Sequence, residues 1–375
     1  MALTGIGFLV LLLAVTGAAL VASALRVPRG RGAPGVLARL GVQMLVSMLV
    51  VLSVAAVLNR QNQWYVSWRD LFGSSAPSVN TSQGGAGPQE ALHHDAAGPG
   101  LPTPTVSQLP PLPDPGQRVQ SFTITGAASG LTGHVLVSLP AGYDDPANAT
   151  RTYPVIVAFH GYPGSPGVWM QGVNLVPSLD ELGSRGKIGP AIVVAPQLEF
   201  PAGIDTECVN GGSGQPQVET WLAADVPDAM AARLRVSHDR TSWATLGFSS
   251  GGWCAAMLTM LHPDVFGAGV VLGGYMSPSF EKTYVPFRSA DAAARRYQLV
   301  DLASSAPPPV ALWLQTSKAD SLSYSSSAAL LRAARPPLSI ESQVDLTAGH
   351  RITVWADAIP SALTWLGATV QGFRP

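Results

Sequence analysis

A single serine lies at a glycine turn between a predicted strand and a predicted helix, and this arrangement strongly restricts the possible folds. The turn reads Gly-x-Ser-x-Gly with Ser249 at its centre. Residues 240–246 before it are expected to form a short buried strand, and the apolar residues 255–261 a helix. A strand, a sharp turn and a helix form the context of a nucleophile elbow. Small neighbours are needed because the serine adopts a strained backbone conformation.

The motif alone is weak, because a chain with 39 glycines and many serines will contain Gly-x-Ser-x-Gly by chance. The predicted strand and helix on either side favour the functional interpretation. The sequence therefore indicates a serine nucleophile on an α/β sheet.

Composition excludes several other classes of protein. The 375 residues are 47% hydrophobic and only 12% charged, and the net charge is -1. A nucleic-acid-binding protein would need a basic surface, which this charge balance argues against. The two cysteines are too few for a disulfide scaffold and lack the spacing of a metal site.

Two long apolar runs, residues 3–25 and 36–58, precede everything else. Each is long enough to cross a bilayer as a helix, which takes about 20 residues. A cleaved signal peptide is a poorer interpretation of the first run, because no Lys or Arg precedes it. A buried pair of soluble helices is a poorer interpretation of both. The arginines at the connection favour a cytoplasmic loop, which places the rest of the chain outside; these are Arg26, Arg29, Arg31 and Arg39.

The remaining chain divides into a linker and a folded domain. Trp64, Tyr65 and Trp68 suit the outer membrane interface, where amphipathic aromatic rings lie. We expect residues 61–117 to be a juxtamembrane segment followed by a disordered tether rich in Pro, Gly and Ser. From residue 118 to 375, predicted strands alternate with predicted helices, which indicates a three-layer α/β domain with a mostly parallel sheet. The two helices of residues 1–60 form a transmembrane hairpin before it.

A serine nucleophile needs a base, and the base needs an acid to orient it. The order Ser, Asp or Glu, His is that of α/β-hydrolases. After Ser249 the chain has two histidines. His262 ends the helix that follows the elbow and is expected to cap it or pack, whereas His350 follows a late strand and is the predicted base.

Three aspartates compete for the role of the acid. Asp320 follows a predicted strand at residues 309–315 and fits the chain order best. Asp345 lies inside the strand before His350, and Asp301 precedes a Pro-rich turn. We predict Asp320 as the acid, with the other two as rivals.

Two backbone N–H groups are expected to stabilise the oxyanion. One belongs to Ser250, the residue after the nucleophile, and the other to the loop after the third strand, where Tyr162 is the predicted donor. His160, in the same loop, is predicted to orient it rather than to act as the base. Such donors contribute roughly 3–4 kcal/mol each to the transition state.

Several short motifs together resemble the putative esterase family, which includes esterase D, enterochelin esterase and the mycolyltransferases of mycobacteria. The matching pieces are LPAGYD at 139–144, FHG at 159–161, GFSSGG at 247–252, HPDVFG at 262–267 and GHRITVW at 349–355. The resemblance covers the domain from about residue 119 onward, and neither apolar run nor the tether. It implies an α/β-hydrolase fold, acyl-ester chemistry, and Ser249, Asp320 and His350 in the triad positions. Members often have Met after the serine, where this chain has Ser250; we expect little effect, because the donor there is a backbone N–H.

The expected function is that of a membrane-anchored, extracytoplasmic serine esterase that hydrolyses carboxylic esters through an acyl-enzyme. The alternatives are an acyltransferase acting on a sugar or lipid alcohol, and a non-catalytic envelope protein that kept the fold. The substrate is a small-molecule or lipid ester; no cofactor and no metal are expected. The sequence does not set the oligomeric state. Many charges between residues 277 and 297 favour a wet entrance, and hence small or medium acyl groups.

Cys208 and Cys254 are predicted to form a disulfide, since an exported domain favours pairing. The alternative is two buried free thiols. A bridge would tie a Gly-rich loop to the helix that begins at the elbow.

Overall fold

The computed structural model describes residues 2–25, 32–73, 78–83, 87–93, 101, 109–281, 284–288 and 291–375. Arg26, Arg29 and Arg31 of the predicted cytoplasmic loop and much of the predicted tether lie outside these residues. The chain forms two compact units. The N-terminal unit contains residues 1–77, 318–321 and 345–351, and the sheet unit contains the other residues.

Within the residues that the structure describes, nine strands form one sheet, in the order β1-β9-β8-β7-β6-β4-β5-β3-β2. The strands are β1 Ser78–Gln83, β2 Val119–Thr125, β3 Thr132–Ser138, β4 Val155–Phe159, β5 Ile192–Pro196, β6 Trp243–Phe248, β7 Ala268–Leu272, β8 Ala311–Ser317 and β9 Ser339–Asp345. The pairs β5–β4, β4–β6, β6–β7 and β7–β8 are parallel, and β2–β3 and β3–β5 are antiparallel.

Helices precede, connect and follow these strands. They are α1 Ile6–Leu25, α2 Ala33–Asn62, α3 Trp68–Leu71, α4 Pro88–His93, α5 Val168–Gln171, α6 Leu175–Ser184, α7 Val218–Thr220, α8 Val226–Ala231, α9 Ser250–Leu261, α10 Ala292–Arg296, α11 Leu299–Ser305, α12 Tyr324–Ala333 and α13 Ile352–Thr369. A π-helical segment, Trp221–Asp225, joins α7 to α8.

The sheet unit is buried on both faces of its central strands. Along β4, Val155, Val157 and Phe159 belong to one hydrophobic cluster, while Ile156 and Ala158 belong to a second. Successive side chains of a strand point to opposite faces, so each cluster covers one face. Residues of α8, α9 and α12 contribute to the first cluster and residues of α6 and α13 to the second. The predicted three-layer α/β fold with a mostly parallel sheet is confirmed.

Two pieces of the predicted tether are ordered, which differs from the sequence-based expectation. β1 joins the sheet beside β9, and Thr81 Oγ1 lies 2.8 Å from Ser342 Oγ. In α4, Leu92 is buried in the second cluster and its carbonyl accepts a bond from Arg240. A strand at a sheet edge is held by backbone hydrogen bonds, so β1 needs none of the apolar alternation that would reveal it in sequence.

In the N-terminal unit, α1 and α2 are both long and apolar enough to cross a membrane. Their bounds lie close to the predicted runs, although α2 extends to 30 residues. Thr16 Oγ1 and Ser53 Oγ are 2.9 Å apart and join the two helices through a hydrogen bond. Few residues of either helix are buried within the protein, with 6% of the most apolar window buried in α1 and 17% in α2.

Candidate active site

Ser249 lies at a strained turn between β6 and α9. Its φ is 56° and its ψ is -125°, a region that non-glycine residues rarely occupy. A side chain at Gly247 would place Cβ 2.0 Å from the carbonyl oxygen of Gly251, and one at Gly251 would meet that of Phe159 at 2.1 Å. The two glycines of the motif are therefore required by close backbone approach. This is the geometry of the nucleophile elbow that the sequence predicts.

The predicted oxyanion loop contacts the elbow through a side chain. The backbone N–H of Tyr162 donates to Ser250 Oγ at 2.8 Å. Ser250 was expected to matter only through its backbone N–H, but its hydroxyl also accepts a hydrogen bond from this loop. In this conformation the Tyr162 N–H is engaged by Ser250. Gly161 lies close to the elbow, since a Cβ there would be 3.2 Å from Cβ of Ser249.

His160 packs within the same loop. Its Nδ1 donates to the carbonyl oxygen of Gly161 at 2.9 Å, and only 3% of the residue is exposed. Burial lowers the pKa of the imidazole, although the bond to Gly161 and the charge of Glu199 oppose that shift. A neutral ring bonded to its own loop suits the predicted orienting role.

In the N-terminal unit, His350 Nδ1 lies 2.8 Å from Asp320 Oδ2. Both side chains are buried. A carboxylate at Nδ1 fixes the tautomer in which Nε2 is the proton acceptor. Of the rival acids, Asp301 is exposed on α11, and the backbone carbonyl of Asp345 accepts the N–H of Lys318. The 2.8 Å pair supports the choice of Asp320.

His262 is the C-cap residue of α9, and its side chain bonds a buried carboxylate. Its Nε2 lies 2.7 Å from Glu219 Oε1, and Glu219 is only 1% exposed. Burial alone would raise the pKa of Glu219, but bonds from His262 and Tyr297 and the charge of Arg296 lower it overall. This network has no sequence signal, because Glu219 lies in an ordinary helical pattern.

The predicted disulfide between Cys208 and Cys254 is present, with Cα atoms 5.7 Å apart. Cys254 lies on α9, five residues after Ser249. Trp253 Nε1 donates to the carbonyl oxygen of Glu207 at 2.8 Å, which gives the loop a second link to α9.

Two carboxyl groups beside this disulfide have raised pKa values. Burial is the main cause, raising the pKa of Asp205 to about 6 and that of Glu207 well above its usual range. The hydroxyl of Tyr275 donates to Glu207 Oε1 at 2.5 Å. Asp205 and Glu199 line a small pocket with Tyr162 and Ser250. Within the ranges that the structure describes, no group of three or more His, Cys, Asp or Glu is arranged to hold a metal ion.

The chain is similar to known esterases in sequence and fold. A model of the family described as putative esterase matches residues 128–363. An uncharacterised protein of Corynebacterium glutamicum is 29% identical over 141 residues, and an endo-1,4-beta-xylanase/feruloyl esterase of Xylanibacter ruminicola 27% over 190 residues. These alignments cover 37% and 49% of this chain, and only 32% and 24% of the relatives' own length.

A solved ferulic acid esterase gives a structural match with a TM-score of 0.56 at 20% identity. The match covers 67% of this chain and 98% of that one. At this identity the likeness shows the fold, and it agrees with the three-layer architecture described above.

Proposed function

The chain belongs to the putative esterase family of serine hydrolases, and from this premise we propose that it is a membrane-anchored esterase with Ser249 as nucleophile. The observation that carries the proposal is the backbone of Ser249, whose positive φ places a serine at a strained strand-to-helix turn. Strain of this kind persists where function requires it. His350 is proposed as the base and Asp320 as the acid that orients it.

In the proposed mechanism, Ser249 Oγ attacks the ester carbonyl carbon while Nε2 of His350 takes the hydroxyl proton. The bond between Asp320 and Nδ1 of His350 stabilises the resulting imidazolium. Backbone N–H groups of Ser250 and Tyr162 stabilise the oxyanion, each worth roughly 3–4 kcal/mol. The alcohol leaves with the proton from His350, and water then hydrolyses the acyl-enzyme by the same steps.

The membrane anchor is proposed from α1 and α2. Their length and hydropathy satisfy the requirement for two spans. The arginines around their connection favour a cytoplasmic loop and an extracytoplasmic sheet unit.

For the substrate, we propose small or aromatic carboxylic esters. One sequence relative is named an endo-1,4-beta-xylanase/feruloyl esterase, and the charged segment from residue 277 to 297 favours a wet entrance. Hydrolysis then dominates over transfer, because water is the most concentrated acceptor.

A second candidate is a lipid ester, which a cavity in the N-terminal unit favours. The cavity has a volume of about 600 Å³ and lies among α1, α2 and the residues after them. Its lining is almost wholly apolar and includes Phe8, Leu12, Leu52, Ala56, Trp64 and Trp68. This volume falls within the range of ligand pockets, about 300–1,000 Å³.

One experiment tests the proposed chemistry, and a second separates the substrates. A fluorophosphonate probe should label the full-length protein in detergent but not the Ser249→Ala variant. Equal labelling of both proteins would remove Ser249 from the mechanism, and no labelling of either would favour a non-catalytic protein. Butyrate, ferulate and palmitate esters should then be compared in the native protein and in Ala56→Trp, which fills the cavity. Loss of palmitate activity alone would establish the lipid ester.

A further inference from the structure

The segment that follows α2 is bonded to the loop that carries His350. The backbone N–H of His350 donates to the carbonyl oxygen of Gln63 at 2.8 Å, and Arg351 Nη1 donates to that of Trp64 at 2.9 Å. Residues 63 and 350 are far apart in sequence, so these bonds are tertiary contacts. They hold the backbone of His350 and its neighbour, while the ring of His350 bonds Asp320.

An ion pair between Arg351 and a buried carboxylate adds to this contact. Arg351 Nη1 lies 2.8 Å from Asp70 Oδ1, and the Asp70 side chain is only 5% exposed. The other oxygen of Asp70 accepts the N–H of Val66 at 3.0 Å. The guanidinium of Arg351 also stacks over Tyr65, 4.7 Å from the ring centroid. Arg351 is therefore held by one carboxylate, one carbonyl and one aromatic face of the same short segment.

The contact has no room for a side chain at Gly349. A Cβ there would lie 2.1 Å from the carbonyl oxygen of Trp64 and 2.7 Å from that of Gln63. Both obstructing atoms belong to the backbone, so they cannot rotate away. Gly349 is thus required by its contact with the segment after α2.

The segment is in turn fixed to α2. Asn59, in the last turn of that helix, accepts the N–H of Tyr65 and donates to its carbonyl oxygen, both at 2.8 Å. The N–H of Gln63 donates to the carbonyl oxygen of Asn59 at 2.8 Å. A continuous series of hydrogen bonds therefore runs from helix α2 to the backbone of His350.

We propose that residues 59–70 position His350, so that the N-terminal helical hairpin is a working part of the esterase and not only its anchor. Asp70 and Arg351 are positioning residues, which act on the reaction through His350. The inference rests on the proposed role of His350 as base. It implies that the protein loses turnover when this contact is broken, even while Ser249 and the sheet unit are unchanged.

The test uses the full-length protein in detergent micelles, with Asp70→Ala and Arg351→Met as disruptive variants and Arg351→Lys as the conservative one. Asp180→Ala is the matched control, because it removes an ion pair with Arg118 at the surface of the sheet unit. We expect kcat to fall about a hundredfold in the disruptive variants, the scale of a misplaced catalytic group. KM should change little, and Arg351→Lys should recover part of the rate.

Gly349→Ala gives an independent variant, since it disturbs the contact without removing a charge. Wild-type kcat in Asp70→Ala, Arg351→Met and Gly349→Ala would overturn the inference. Ser249→Ala and His350→Ala are measured beside them. If those two variants keep full activity, the proposed function fails; if they are inactive while the three contact variants match Asp180→Ala, only the positioning role fails.

Discussion

The backbone N–H of Tyr162 donates to the hydroxyl of Ser250 at 2.8 Å. If Tyr162 N–H stabilises the oxyanion, it must exchange this neutral acceptor for a charged one during the reaction. A bond to a charged acceptor is roughly twice as strong as a neutral one. The bond to Ser250 therefore stabilises the resting loop and competes with the transition state.

From this competition we predict that Ser250→Ala raises kcat several-fold. A neutral hydrogen bond contributes about 1 kcal/mol, and its loss from the ground state lowers the barrier by a similar amount. Ser250→Thr keeps a hydroxyl and is the control, with kcat near wild type. Steady-state kinetics on one ester checks the ranking. A tenfold slower Ser250→Ala would show instead that the hydroxyl itself donates to the oxyanion.

The choice of acid leads to a second prediction. Asp320→Asn should lower kcat by several orders of magnitude, since the amide cannot stabilise the imidazolium of His350 and favours the wrong tautomer. Asp345→Asn, in the same unit, is the matched control and should retain most activity. Each variant should react with a fluorophosphonate more slowly than wild type only if the aspartate that it replaces is the acid that orients His350. The reverse ranking would make Asp345 the acid.

How far the sequence could predict the site depends on how local each feature is. The elbow at Ser249 was predictable, because glycine spacing and the flanking apolar runs lie within about twenty residues. The proposed acid and base were chosen from chain order and family resemblance, and their roles stay predictions. The contact between Asp70 and Arg351 was not predictable, because 281 positions separate the two residues and each looks like an ordinary surface charge in the sequence.

The edge strand β1 escaped prediction for a different reason. Its sequence, SVNTSQ, is polar apart from Val79 and lies among residues typical of a tether. Edge strands are specified by pairing with a neighbour, which leaves little trace in hydrophobic pattern. The half-buried Asp205 and the buried Glu207 likewise look like loop residues in sequence, and only their removal from solvent distinguishes them.

Asp205 supports a prediction about stability and pH. Burial, together with repulsion from Glu199 and Glu281, raises its pKa from 3.8 to about 6, although the N–H of Glu207 opposes the shift. The folded state binds the proton of Asp205 more tightly than the unfolded state does. Ionisation of Asp205 therefore destabilises the fold increasingly as the pH rises from about 4 to 6, and the full loss of stability is reached above that range. The cost is at most about 3 kcal/mol, at about 1.4 kcal/mol per pKa unit.

We therefore expect Asp205→Asn to raise Tm at pH 8 and to leave it almost unchanged at pH 4. Asparagine keeps the side-chain oxygen that accepts the N–H of Glu207. Thermal unfolding of the full-length protein at several pH values provides the measurement. A gain in Tm of equal size at pH 4 and pH 8 would mean that ionisation of Asp205 is not the cause.

The disulfide between Cys208 and Cys254 should contribute strongly to stability. It spans 46 residues, and the chain-entropy model gives a loop of that length about 4 kcal/mol. The double variant Cys208→Ala/Cys254→Ala should therefore unfold at lower temperature than wild type, and reductant should lower Tm only in the wild type. If the disulfide of the wild-type protein is reduced with the help of denaturant and its Tm does not change, this contribution to stability is contradicted.

The last prediction concerns the orientation of the hairpin. Helices α1 and α2 have the length and hydropathy of two spans, so the two ends of the hairpin should lie on the same side of the membrane. Loops that carry arginines are retained on the cytoplasmic side of a membrane. Because Arg26, Arg29, Arg31 and Arg39 lie around the connection between the two helices, only this loop should face the cytoplasm. A reporter that is active only in the cytoplasm should be silent when fused after Pro375, whereas one active only outside should give a signal. Replacing these arginines with glutamines should weaken the preference for this orientation. A cytoplasmic signal from the unaltered chain would reverse the proposed topology and place Ser249 inside the cell.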